Sequence, residues 1–148
     1  METVRDRSGT RYLLVKRSAE SSRVRDPRTG EERYVRNDDL EPSDESALLA
    51  AGRATPTAVR EDPDLRGVGD ERTLGLLREI ARREPVGVLT LLDSYDLCES
   101  DLHGSLAELR AAGLIEPADL DGITLAGDRG YRTTERTRAA FDATRQDG

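Results

Sequence analysis

The side chains of this sequence that could do chemistry begin with its single histidine. His103 lies two residues after Asp101, and a histidine beside a carboxylate is a common start of a metal site. Such a site needs further ligands, and none stands nearby at a recognisable spacing. We therefore predict that His103 is an exposed helix residue and that the chain binds no metal.

Cys98 is the only thiol, so the chain can form no internal disulfide and no cysteine-cluster zinc site. It stands just before a predicted helix, whose positive end favours the reactive thiolate. The acidic neighbours Asp96, Glu99 and Asp101 oppose that charge. The sequence therefore predicts a small buried residue in a turn and not a redox sensor.

Neither the carboxylates nor the glycines form a catalytic motif. The pairs Asp38–Asp39 and Asp119/Asp121 lie in polar contexts, whereas general acid–base catalysis needs partly buried carboxylates in unlike environments. The loop Gly127–Gly130 lacks the Gly-Lys-Ser/Thr ending of a phosphate-binding loop. We predict no catalytic residue, no cofactor and no enzyme activity.

The C-terminal half, which must position these residues, has a helical pattern. Asp70 is suited to cap a first helix whose apolar residues fall on one stripe. Pro85 is predicted to open a second helix, where its missing N–H is not needed. Ser100 is predicted to cap a third helix that ends at Gly113. The remaining predicted elements are a strand from Leu114, a glycine-rich loop, a return strand at Tyr131–Thr133 and a last helix capped by Thr134.

Two motifs in this half resemble a known family. Asp101–Ile115 (DLHGSLAELRAAGLI) resembles the recognition-helix segment of MarR-, ArsR- and PadR-like regulators, in which a Leu-x-x-Leu helix ends in Ala-Gly-Leu-Ile and continues into the wing. Tyr131–Arg138 (YRTTERTR) is similar to their wing-return strand and the start of their final helix. The resemblance covers about half of the chain and implies that residues 70–148 form a winged helix-turn-helix domain.

By this resemblance, the third helix would enter the major groove of DNA, and the wing would reach phosphates or the minor groove. His103 and Ser105 could bond to base edges, and Gly104 would allow close approach. Asp101 and Glu108 depart from the family pattern, because carboxylates repel phosphate. The predicted DNA-binding residues are Ser100, His103, Gly104, Ser105, Arg110, Arg129 and Arg132.

Residues 1–42 are predicted to form a small antiparallel β-meander. Its four strands are predicted at Thr3–Arg5, Arg11–Lys16, Ser22–Arg25 and Glu32–Arg36. Gly30 is expected to adopt a positive φ in the turn before the last strand. Residues 43–69 are predicted to be a linker that could hold a short helix at Ser46–Ala51.

The N-terminal region is locally basic in an acidic chain. Residues 1–36 carry ten basic residues against six acidic ones, whereas the whole chain has a formal net charge of −7. Such asymmetry is typical of a nucleic-acid arm or an intramolecular docking surface. Arg23 and Arg25 alternate along one strand, and Arg11 and Arg33 on neighbouring strands could join them as a second nucleic-acid or docking surface. The alternative is a solvated face that pairs with the acidic C-terminal half.

The composition predicts where the protein works. Lys16 is the only lysine, acidic residues outnumber basic ones by 30 to 23, and the hydrophobic fraction is 35%. This pattern is typical of cytoplasmic proteins of halophilic archaea, because carboxylates hold water and cations where salt competes for hydration. The alternative is an acidic mesophilic protein from a GC-rich genome. No apolar stretch suits a signal peptide or a membrane span, which predicts a cytoplasmic location.

Together these patterns predict an α+β protein in which a β-meander precedes a winged helix-turn-helix. We expect it to bind double-stranded DNA as a transcriptional regulator or chromatin-associated factor. The alternative is a protein-interaction adaptor in a transcription, replication or chromosome-organisation complex. The thin core favours a homodimer, and the candidate dimer elements are Ser46–Ala51 and the last helix around Ala139, Ala140 and Phe141.

Overall fold

A computed structural model describes residues 1–95, 97–120 and 129–146, and it has the predicted α+β class. An antiparallel sheet comes first, and helices with a smaller antiparallel sheet follow. In chain order the elements are β1 (Thr3–Arg5), β2 (Arg11–Lys16), β3 (Ser21–Arg25), β4 (Glu32–Arg36), β5 (Glu41–Ser43), α1 (Ala47–Arg53), α2 (Thr57–Arg60), α3 (Glu71–Arg83), β6 (Val86–Gly87), α4 (Val88–Ser94), α5 (Glu99–Ala111), β7 (Ile115–Ala118), β8 (Gly130–Thr133) and α6 (Glu135–Gln146).

The four predicted strands of the N-terminal meander are confirmed. They form one antiparallel sheet in the order β4-β3-β2-β1-β5. The edge strand β5 was not predicted, because Pro42 in its centre is a poor strand former that is tolerated only at an edge. Gly30 has the predicted positive φ of 80°, which allows the chain to turn back into β4.

The two faces of this sheet pack on different partners. Val4, Tyr12 and Val24 form a small buried cluster on one face. Leu13 points to the other face, where it joins the main core built by the helices. The sheet is therefore packed against the helical part of the chain by at least one fully buried leucine.

Helix α1 and helix α3 approach each other at two glycines. A Cβ atom added at Gly75 would stand 1.8 Å from the carbonyl oxygen of Leu48, and one added at Gly52 would stand 1.9 Å from that of Glu71. Atoms that are not bonded cannot come so close, so only glycine fits at either position. The segment 43–69, predicted as a linker, thus contains a helix that lies in backbone contact with α3.

This packing corrects one of the proposed dimer elements. In the segment Ser46–Ala51, the apolar residues Ala47, Leu48, Ala50 and Ala51 are buried within the chain instead of lying open for a second copy, and Leu49 is half-buried. The reason is that α1 uses its apolar face on α3, beside Leu76 and Leu77 of the main core. In α6, the other candidate element, Ala139 is exposed, Ala140 is buried and Phe141 is half-buried.

The C-terminal half has the arrangement of helices and wing that the fold prediction describes. Asp70 caps α3 as predicted, because its side chain accepts a hydrogen bond from the N–H of Arg72 at 3.1 Å. The three-stranded sheet has the order β6-β8-β7, and β7 and β8 are the two strands of the wing. In the residues described, no helix is both long enough and apolar enough to cross a membrane.

Two predicted helix starts are wrong. Pro85 does not open α4; residues 86–87 instead stay extended because they pair with β8, and the helix begins at Val88. Ser100 does not cap α5. The N–H of Leu102 already bonds to the carbonyl oxygen of Cys98 at 3.0 Å, so the helix begins at Glu99 and Ser100 lies in its first turn.

The end of α5 agrees with the prediction. Gly113 has a φ of 74°, its N–H donates to the carbonyl oxygen of Arg110, and the N–H of Leu114 donates to that of Leu109, both at 3.0 Å. This is the hydrogen-bond pattern of a Schellman motif, which requires a left-handed residue. The turn sends the chain from α5 directly into β7.

Candidate nucleic-acid interface

Helix α5 packs against the rest of the protein along one side. Leu102, Leu106 and Leu109 are buried and recur at the spacing of one helical face. Next to them, the hydroxyl oxygen of Ser105 lies 3.4 Å from that of Thr73 on α3. The opposite side of α5 is exposed, as a recognition helix requires.

The predicted base-contacting residues divide between these two sides. Ser100, His103 and Gly104 are exposed, and a Cβ added at Gly104 would meet nothing within 4 Å. Ser105 is half-buried because it faces Thr73, so it is less available than the sequence suggested. Of the five predicted DNA-binding residues on α5, four are therefore exposed, since Arg110 in the last turn is exposed as well.

The charge on this open side is mainly negative. Glu99, Asp101 and Glu108 are exposed carboxylates. The Nε2 atom of His103 lies 3.5 Å from the Oε1 atom of Glu99, an ion pair when the imidazole is protonated. The arginine of this helix, Arg110, stands in its last turn, at the end that leads to the wing.

The wing contacts that end of α5 through Tyr131 and carries two further exposed arginines. The guanidinium of Arg110 lies 5.9 Å from the ring centre of Tyr131 on β8. Arg132 is the next residue on β8 and pairs with Glu116 on β7 at 2.8 Å, although 55% of its side chain is exposed. Arg129 is exposed just before β8, where its carbonyl oxygen accepts a hydrogen bond from Val88. We call the exposed residues Ser100, His103, Gly104, Arg110, Arg129 and Arg132 the helix-and-wing face.

The four arginines of the predicted second surface do not lie together. Arg33 is paired with Val24 in the sheet register, so it projects from the opposite face to Arg23 and Arg25. It stacks on Tyr12, with its guanidinium 5.0 Å from the ring centre. Arg11 is bound by a carboxylate at 2.8 Å, that of Glu45, and Arg23 by that of Glu32.

Arg25 is not a surface residue at all. Its side chain is 8% exposed and forms an ion pair with Glu79 on α3, which is fully buried. The hydroxyl of Tyr95 donates to the same oxygen of Glu79, and Arg82 lies 3.8 Å from the other oxygen. We call Arg25, Glu79, Arg82 and Tyr95 the buried Glu79 cluster. It joins the N-terminal sheet to α3 by charge.

Burial in this region shifts the pKa values of two side chains. Burial and the neighbouring charge of Glu79 raise the pKa of the Tyr95 hydroxyl well above its usual range, so the phenol stays a hydrogen-bond donor. Burial and the charge of Arg82 lower the pKa of Arg78, also on α3, to about 10. The sequence analysis missed this cluster. One signal was present, since Glu79 lies three residues after Leu76 and directly before Ile80 in the apolar stripe of α3.

The remaining candidate residues stand apart. Cys98 is exposed and not buried as predicted, because it precedes α5 at the surface; its sulfur lies 3.4 Å from the Ser100 hydroxyl. Asp39 is paired with Arg7 at 2.8 Å, and Asp119 is exposed. Asp96, Asp121, Gly127 and Asp128 lie outside the described residues. Among the residues described, no three metal-binding side chains converge.

The comparison with protein families covers both parts of this architecture. A family model, DUF7346, described as a family of unknown function, matches residues 1–145. The chain belongs to DUF7346. No curated protein and no solved structure matches it.

The DUF7346 match covers both parts of the fold. The DUF7346 match begins before β1 and ends in α6, so it includes the N-terminal sheet together with the helices and wing. The buried Glu79 cluster, which joins these two parts, lies within the matched region. The family match thus extends over nearly the whole chain and not over the helix-and-wing half alone.

Proposed function

We propose that this DUF7346 protein binds double-stranded DNA through the helix-and-wing face, as a MarR-, ArsR- or PadR-like transcriptional regulator or a chromatin-associated factor. The observation that carries the proposal is the contact of Arg110, in the last turn of α5, with Tyr131 on β8, together with an exposed arginine on either side of Tyr131 in the chain. Arg129 precedes β8, and Arg132 projects from the opposite face of β8 to Tyr131.

Arginine is suited to this position because its planar guanidinium binds phosphate in a bidentate manner. Most hydrogen bonds between proteins and DNA go to phosphate and sugar, and they fix the position of the protein on the duplex. The three arginines of the helix-and-wing face would hold the phosphate backbone, and the first turns of α5 would then meet the base edges with Ser100, His103 and Gly104.

The carboxylates of α5 set conditions on this mode of binding. Asp101 and Glu108 repel phosphate unless cations lie between them and the DNA, or unless a carboxylate accepts a hydrogen bond from a cytosine amino group. Concentrated potassium would supply such cations, which agrees with the acidic, halophile-like composition. High salt also weakens counterion release, so fit to the shape of DNA must contribute to affinity.

We expect the regulator to act as a homodimer. Within the described residues, Ala139 is exposed on α6 beside the half-buried Phe141, which supports this helix as the dimer element. A dimer of winged helices would read two half-sites related by the same symmetry as the protein.

The proposal is tested by titrating the full chain with genomic DNA fragments at near-molar KCl and following fluorescence anisotropy. We expect saturable binding that the double variant Arg129→Ala/Arg132→Ala weakens by about tenfold or more, since each phosphate contact removed lowers affinity. Arg36→Ala, which removes an exposed arginine on β4, is the matched control and should leave binding unchanged. A folded protein that binds no fragment would refute the proposal.

A protein-interaction adaptor is the second candidate, and the exposed carboxylates of α5 favour it. Glu99, Asp101 and Glu108 form an acidic surface that would suit a basic partner protein in a transcription, replication or chromosome-organisation complex.

The double variant Asp101→Asn/Glu108→Gln separates the two candidates. If α5 faces DNA, removing this repulsion should raise the affinity for DNA several-fold, whereas Glu20→Gln, an exposed carboxylate beside the sheet, should not. An unchanged affinity for DNA would show that α5 faces something else and would favour the adaptor.

A further inference from the structure

A groove between the N-terminal sheet, α3 and α6 has a concentration of arginines that the DNA proposal does not use. Its volume is about 680 Å³, which lies in the range of small-molecule sites. We call it the arginine groove. Its wall includes five arginines, which are Arg25, Arg28, Arg78, Arg82 and Arg138.

The arginines at the floor of this groove differ in their partners among the described residues. Arg25 and Arg82 both interact with the carboxylate of Glu79. In the described part of the chain, the hydrogen bond made by Arg78 goes to the carbonyl oxygen of Arg28, at 3.3 Å, and not to a carboxylate. Asp26 pairs with Arg28 at 3.1 Å, and its charge also interacts with Arg82. Among the described residues, each of the other floor arginines thus pairs with a carboxylate, whereas the hydrogen bond of Arg78 goes to a carbonyl oxygen.

The carboxylates that line the groove are not paired with Arg78 in the contacts of the described residues. Glu32 is paired with Arg23, which lies outside the groove. One oxygen of Glu84 accepts hydrogen bonds from the N–H and the hydroxyl of Thr133, both at 2.6 Å. Asp142 is exposed at the rim.

One part of the wall is apolar. Pro56, Ala81 and Phe141 line the groove beside the arginines, so one part of a ligand would meet charge and another would meet hydrocarbon. Burial lowers the pKa of Arg78 to about 10, so the charged form of its guanidinium is disfavoured here. A bound anion would stabilise that charged form, which supports an anion site in the groove.

We propose that the arginine groove binds a small organic phosphate, with its phosphate group at Arg78 and Arg138 and its organic part against Phe141 and Ala81. A phosphate group accepts several charge-assisted hydrogen bonds from guanidinium groups, and the apolar wall gives a phosphate ester an advantage over the free anion. The groove lies where the sheet, α3 and α6 meet, so an occupant would contact both parts of the chain. This inference does not depend on DNA binding by the helix-and-wing face.

The test is calorimetric titration of the full chain with phenyl phosphate at near-molar KCl. We expect saturable binding that is tighter than that of inorganic phosphate, and no binding of phenol. Arg78→Gln should weaken the binding of phenyl phosphate by about tenfold or more, and Arg138→Gln by a smaller factor. Arg36→Gln, an exposed arginine outside the groove, should bind like the wild type.

Arg138 is exposed, so its variant keeps the test valid if Arg78→Gln fails to fold; circular dichroism checks both. Equal binding of phenyl phosphate and inorganic phosphate would overturn the assignment to an organic phosphate. Absent binding, or binding that neither variant weakens, would overturn the site itself. Displacement of phenyl phosphate by duplex DNA, together with loss of DNA binding in Arg78→Gln, would reassign the groove to the DNA interface and also overturn the proposal.

Discussion

The N-terminal sheet and the helix-and-wing face both carry arginines, but they differ in what neutralises them. In the sheet, Arg11, Arg23 and Arg25 each pair with a glutamate of the same chain. On the helix-and-wing face, Arg129 is exposed at the start of β8, and the nearby carboxylates of α5 also point to solvent. Arg132 on that face also pairs with a glutamate of the same chain, Glu116, and Arg110 contacts the ring of Tyr131. The two regions therefore differ at Arg129 and at the exposed carboxylates of α5.

A count of charges along a sequence does not locate a basic surface. Residues 1–36 are basic as a sequence, yet Arg25 is buried and Arg33 stacks on Tyr12. The sequence left open a solvated face that pairs with the acidic C-terminal half; Arg25 does pair with that half, through Glu79, but it is buried, and Arg11 pairs with Glu45 outside it. We propose that contacts with an outside partner are made by the helix-and-wing face.

The largest effect is expected from breaking the buried Glu79 cluster. Glu79→Gln keeps the shape of the side chain but leaves the charges of Arg25 and Arg82 without their carboxylate. Removing one partner of a buried ion pair destabilises a protein by about 3–5 kcal/mol, because an uncompensated charge stays buried. Urea unfolding should show a loss of this size.

Glu108→Gln is the control for that measurement, because its carboxylate is exposed on α5. It should change the free energy of unfolding by less than about 0.5 kcal/mol. A loss below about 1 kcal/mol in Glu79→Gln would mean that the sheet is not held to α3 by this pair.

Two glycine substitutions test the difference between a packed helix, α3, and an exposed helix face, that of α5. Gly75→Ala places a methyl group where the carbonyl oxygen of Leu48 now lies, so α1 and α3 must separate, with a loss of about 1–3 kcal/mol or more. Gly104→Ala on α5 meets open space and should stabilise the protein by up to about 1 kcal/mol through helix propensity. Thermal unfolding of both variants would reveal opposite signs, and equal signs would contradict the packing described.

The smallest effect concerns the turn between β1 and β2. The carboxylate of Asp6 accepts hydrogen bonds from the Ser8 hydroxyl at 2.6 Å and from the N–H groups of Ser8 and Thr10, and these bonds lower its pKa below 3.8. Because the folded state favours the charged form, this stabilisation is fully present above the unfolded pKa. It is lost as the pH falls through the lower, folded pKa.

Asp6→Asn should therefore make the stability of the protein depend less on pH on the acid side of neutrality. The measurement compares urea midpoints between about pH 5 and pH 3. Asp38→Asn, an exposed carboxylate in the same half of the chain, is the matched control. An unchanged slope in Asp6→Asn would indicate that the turn does not depend on the charge of this carboxylate.

Local features of the fold were predictable from the sequence. The strands β1 to β4, the cap at Asp70 and the turn at Gly113 follow from alternation, capping chemistry and the need for a positive φ. Pro85 was misassigned because the pairing of residues 86–87 with β8 joins segments that are far apart in the chain. No local pattern reports such a pairing.

The site was predictable in part for the same reason. The exposure of His103 and Gly104 follows from helical periodicity. The pairing of Arg25 with Glu79 joins residues 54 positions apart, and alternation along β3 could not show which arginine would be buried. The half-burial of Ser105 depends on Thr73, which lies on another helix.

DNA binding by the helix-and-wing face is tested most directly by arginine-directed footprinting with and without DNA. The full chain is treated with an arginine-specific dicarbonyl reagent at near-molar KCl, and modification is read by mass spectrometry. We predict that DNA protects Arg110, Arg129 and Arg132 but leaves the reactivity of Arg11, Arg23 and Arg33 unchanged. Protection of the sheet arginines without protection of the helix-and-wing face would contradict the account.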